Sequence, residues 1–163
     1  MNLDRFNQIK STLKTADCLL WSGADIISDL IEDISRSQYS HAGLVMVFEE
    51  YPDLIFTVEA QGSGVLMADL AQRLRTSEGG CTVFPLNADL DPRRREMGER
   101  ALKMLGTPYD YGALLKLAVE KVKTGEREVV CSEMVQEVYG IQGDILTPGE
   151  LPRLGIFGPA IKL

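Results

Sequence analysis

Leu3, Phe6, Ile9 and Leu13 recur at helical spacing and predict an amphipathic packing helix over about 3–14. Cys18-Leu19-Leu20-Trp21 is a short apolar run closed by Ser22-Gly23, which predicts a buried strand. Asp25 then caps a predicted helix with Ile26 or Ile27, Leu30, Ile31 and Ile34 on one face. Two further runs, 41–48 and 54–60, flank the turn-forming stretch 49–53 and predict a β-hairpin. Val65-Leu66-Met67 predicts a short strand after the turn at 61–64, followed by a helix over 68–74 with Leu70 and Leu74 inward. Cys81-Thr82-Val83-Phe84 predicts another strand, which Pro85 confines to an edge or an end because it has no N–H for the ladder.

In the second half, Asp91-Pro92 has the form of an N-cap and first position, with Met97, Ala101, Met104 and Leu105 as the apolar stripe and Gly106 as the stop. Arg93-Arg94-Arg95 lies among Asp89, Asp91, Glu96 and Glu99, so it reads as a solvated, charge-compensated face. Asp110 begins a predicted helix whose stripe is Tyr111, Leu114, Leu115, Ala118 and Val122. Another helix opens near Cys131, where Met134, Val135 and Val138 follow at three, four and seven residues. Thr147-Pro148-Gly149-Glu150 has the spacing of a capping box, and the tail from Leu154 alternates too weakly to assign. Short strands and helices in this order predict an α+β domain over 1–163, a small antiparallel sheet or partial barrel packed against helices.

Composition narrows what such a domain does. A chain of 163 residues with 45% hydrophobic residues can bury a core without metal or disulfide staples. The net charge of −7 argues against a nucleic-acid partner. Three widely spaced cysteines and a single histidine argue against a structural metal site, and no cofactor motif is present. Neither a signal-peptide pattern nor an apolar run of membrane-spanning length occurs, so a cytoplasmic chain is expected.

The same residue types point to one chemistry. A thiol at the start of a helix lies by unpartnered N–H groups and the positive end of the macrodipole, which favour the thiolate. Cys131 holds such a position, although its inward stripe equally suits an inert core cysteine. In a hairpin centred near residue 50 or 51, His41 lies within a residue or two of Glu59 on the facing strand, and the apolar residues take the other face. A thiolate attacking a carbonyl needs a proton donor for the leaving group, and a histidine oriented by a carboxylate supplies one.

Five segments in order carry a resemblance: Ser40-His41-Ala42-Gly43-Leu44-Val45; Val58-Glu59-Ala60 with Gly62 and Gly64; Gly106-Thr107-Pro108-Tyr109-Asp110-Tyr111; Cys131-Ser132-Glu133-Met134-Val135; and Thr147-Pro148. The arrangement resembles the circularly permuted branch of the NlpC-type, papain-like cysteine hydrolases, in which histidine and polar residue precede the cysteine. Ala16-Asp17 stands where the family often has Gly-Asp. The resemblance implies Cys131 as nucleophile, His41 as base and acid, Glu59 as the residue orienting the imidazole, and Tyr109 or Tyr111 in the substrate cleft. The expected reaction is cleavage of a peptide or N-acyl amide through a thioester. Lipid acyl hydrolysis or transfer, as in the related lecithin:retinol acyltransferase group, and a non-catalytic binding module are the competing readings.

Overall fold

The computed structural model describes residues 3–23, 37–108 and 130–163. The helices predicted over 25–34 and from Asp110, with Tyr109 and Tyr111, lie outside the described residues. Six strands form one antiparallel sheet in the order β4-β3-β2-β1-β5-β6: β1 Cys18–Trp21, β2 His41–Val47, β3 Ile55–Gln61, β4 Gly64–Asp69, β5 Cys81–Phe84 and β6 Ile161–Lys162. The sheet is open, with β4 and β6 at its edges. Four α-helices accompany it among the described residues: α1 Leu3–Ile9, α2 Leu70–Thr76, α3 Arg94–Lys103 and α4 Val130–Tyr139. The architecture is α+β, as its order of elements predicts.

Side chains alternate across a strand, and the two faces meet different helices. Leu19, Trp21, Val45, Ile55 and Val83 pack with Phe6, Ile9 and Leu13 from the N-terminal segment and with Leu70 and Leu74 of α2. Cys18, Leu20, Ala42, Leu44, Met46 and Val58 pack with Met97 and Ala101 of α3 and with Cys131, Met134, Val135 and Val138 of α4.

Three local expectations change. The predicted helix over 68–74 starts later, at Leu70, because Ala68 and Asp69 remain paired with β3 and the Asp69 carboxylate caps α2 by accepting from Gln72 N at 2.7 Å. Asp91 is no N-cap: residues Ala88–Arg93 form a 3₁₀ turn, and its carboxylate takes Arg94 Nε at 2.6 Å and Lys14 Nζ at 2.7 Å. The arginine run is not wholly a solvated face either, since Arg94 is buried. It reaches Asp17 at 2.8 Å and donates to the carbonyls of Thr15 and Leu86, pinning α3 to the start of β1.

Beyond α3 the chain returns to the sheet edge. Val65 N donates to Thr107 O, and Gly106 N donates to Val65 O. Gly64, at φ 113°, is required here, because a Cβ would stand 2.7 Å from the Thr107 carbonyl oxygen. At the C-terminal end, Glu150 reaches back to Thr147 N at 2.8 Å, the expected half of the capping box, before a 3₁₀ turn at Leu151–Leu154.

Candidate active site

The β2–β3 register sets the site. Glu59 faces Gly43, so His41 stands diagonally from it, two residues along. A diagonal reach across the pair needs open space above the facing residue, and Gly43 provides it. A Cβ at residue 43 would come within 2.7 Å of Glu59 Cγ. The Glu59 side chain lies over this gap and meets the ring: His41 Nε2 and Glu59 Oε2 are 2.8 Å apart.

Glu59 is almost fully buried, and its carboxylate takes three more donors: Thr57 Oγ1 at 3.0 Å, Gln61 Nε2 at 3.1 Å and Arg73 Nε at 3.3 Å. Thr57 and Gln61 sit two residues to either side on β3 and therefore share its face. Arg73 arrives from α2, its guanidinium 4.4 Å above the Trp21 ring. Burial works against the carboxylate form, but the hydrogen bond and charge of His41, then Arg73 and Gln61, outweigh it and hold the Glu59 pKa down to about 2.

The His41 ring also engages Cys131, through a hydrogen bond and through charge. With Nε2 committed to Glu59, Nδ1 is the nitrogen left to face the thiol. Burial disfavours the imidazolium. Cys131, by charge and by hydrogen bond, and then Glu59 together overcome that and push the His41 pKa up to about 10.

Cys131 lies in the first turn of α4 and is buried among the residues that pack on Leu44 and Val58. Its helix thus covers the sheet face opposite the one carrying Glu59. His41 is the first residue of β2, at the margin of the sheet, where one ring can meet both groups. The other two cysteines are held as neutral thiols. Burial pushes the pKa of Cys18 and of Cys81 well up, and the nearby charge of Glu59 adds to the effect at Cys81.

His41, Glu59 and Cys131 are therefore brought together in the histidine–polar–cysteine chain order. The profile of the permuted papain-like amidase enzymes, the YaeF/YiiX or C92 family, matches residues 14–150. The chain belongs to this family. Among solved structures it is similar to the metalloprotein yiiX from Escherichia coli O157:H7, with 25% identity and a TM-score of 0.60 over 78% of this chain. It spans 64% of that protein's length. No curated protein sequence matches it.

Gly43, Thr57, Gln61 and Arg73 complete the surroundings of the His41–Glu59 pair, and the chain's local pattern assigns none of them to a site. A glycine two residues after the histidine in an otherwise β-forming run is the one local signal that could have found the gap over Glu59. Arg73 carries no such signal, because its role depends on how α2 docks. No helix among the described residues is long and apolar enough to cross a membrane.

Proposed function

We propose that the chain is a cysteine amidase in which Cys131 is the nucleophile, His41 the proton carrier and Glu59 the residue that orients the imidazole. The observation that carries this reading is the single ring of His41 held between the Glu59 carboxylate and the Cys131 thiol. An imidazolium beside the sulfur, itself backed by an anionic Glu59, is the state in which a thiolate–imidazolium pair attacks.

The sulfur adds to the amide carbonyl, forming a C–S bond, and the oxyanion develops by the start of α4, where the macrodipole favours negative charge. Collapse breaks the C–N bond while His41 gives its proton to the departing amine. Water then attacks the thioester as His41 takes back a proton, and the acid leaves with Cys131 restored. The relative yiiX is described as a metalloprotein. Among the described residues here no group of three or more His, Cys, Asp or Glu side chains could hold a metal ion.

The hollow beside His41 is walled mainly by polar groups, among them Ser22, Ser40, Arg73 and Thr76, which favours a polar amide over a long acyl chain. Alkylation by iodoacetamide at mildly acidic pH, read by peptide mass spectrometry, tests the nucleophile. Cys131 is expected to label faster than a cysteine in an unstructured peptide, and His41→Ala to abolish the advantage. Labelling of Cys131 no faster than the peptide, in protein that still labels it fully once denatured, sinks the reading.

A further inference from the structure

Arg73 does more than brace Glu59. Only its Nε is used for that contact, and the two Nη groups have no acceptor among the described residues. Stacking on Trp21 and the bond to Glu59 fix the guanidinium in place, so its remaining donors are preorganised. They border a hollow of about 280 Å³ formed by Trp21, Ser22, His41, Arg73, Thr76 and Gly79, with neighbouring residues. The indole N–H of Trp21, in the same wall, is buried without an acceptor among the described residues. Among the described residues Glu78 is the one acid in the wall, and it is solvent-exposed.

The position of the hollow says which half of a substrate it receives. His41 borders it, whereas among the described residues none of α4 does. In amide cleavage the acyl carbon bonds to the sulfur and the amine nitrogen takes its proton from the imidazole, so the amine half lies against His41.

On the reading of the site as an amidase, we propose that this hollow binds the leaving-group half of the substrate and recognises a carboxylate there through Arg73. The substrate class is then an amide whose amine part is an amino acid with its own carboxylate. Arginine presents a planar fork that matches a carboxylate with two parallel hydrogen bonds, and one guanidinium serves Glu59 and a ligand at the same time because it has five N–H donors.

Binding and turnover separate this inference from the reading beneath it. In a Cys131→Ala protein, N-acetylglycine is expected to bind about tenfold to a hundredfold more tightly than N-acetylglycinamide, by calorimetry or by NMR titration of the His41 ring. Adding Arg73→Gln is expected to bring that ratio close to one whatever happens to the absolute affinities, and Arg73→Lys to restore only part of it. Equal affinities, no binding of either compound, or a ratio that survives loss of Arg73 overturns the carboxylate site. Wild-type protein that cleaves acylated amines with no regard to a carboxylate overturns it too, while leaving the amidase reading intact. A carboxylate preference in protein that cleaves no amide keeps the binding site and removes the amidase.

Discussion

Glu59 gathers four donors onto one buried carboxylate, from His41, Thr57, Gln61 and Arg73. The contacts with His41, Arg73 and Gln61 favour the charged form, and the charge in turn favours an imidazolium at His41. Glu59→Gln keeps the shape and removes the charge. His41 is then expected to lose its proton at lower pH than the value of about 10 in the native protein, with the alkaline limb of kcat/KM moving down alongside it. The fall is partial, since Cys131 also favours the charged ring. As the chain has one histidine, a single ring resonance followed by NMR against pH reads the shift. An unmoved midpoint would show that Glu59 acts on the ring by position alone. The three candidate residues were legible in the sequence because the chemistry of a thiol, an imidazole and a carboxylate is intrinsic. Gly43 was not, since its importance lies in the side chain that another strand lays across it.

The elements were legible wherever a period runs unbroken. β1 and β5 fall where the apolar runs place them, and α1 buries Phe6 and Ile9 as its spacing predicts. Boundaries moved where a polar side chain had two possible partners. Asp91 could have capped α3, yet it serves Arg94 and Lys14, because Arg94 is already drawn inward to Asp17. That buried pair joins the start of β1 to α3, with the Asp17 carboxylate also accepting from Leu86 N at 3.0 Å. Asp17→Ala leaves a guanidinium with its buried carboxylate removed and is expected to cost about 3–5 kcal/mol, read from urea unfolding midpoints. A loss below about 1 kcal/mol would mean that the pair behaves as an exposed surface bridge.

Across the molecule, the sheet is a partition. α1 and α2 cover the face that carries Glu59, and α3 and α4 cover the face that packs Cys131. The site forms where the ring of His41 spans the margin of that partition, so its geometry depends on how firmly α4 is seated. Met134, one turn after Cys131 and 2% exposed, is part of that seat. Met134→Ala is expected to lower stability by about 2–5 kcal/mol in chemical denaturation, through lost burial and the cavity left behind. Tyr139 closes the other end of α4: its hydroxyl donates to Ala16 O at 2.9 Å, and its ring meets Phe157 edge-on.

Periodicity, turn chemistry and residue type are local, and they specified most of the strands and the inward stripe of α4, and they singled out Cys131, His41 and Glu59 as candidates for one site. The pairing of Glu59 with Gly43, the arrival of Arg73 over Trp21 and the burial of Arg94 arose from contacts between segments far apart in the chain. The physical reason is that such contacts are rewarded jointly. A register one residue away would have turned the whole apolar set of β2 to the wrong face, so the sheet and both helical layers had to be in place before Glu59 could be aimed at His41.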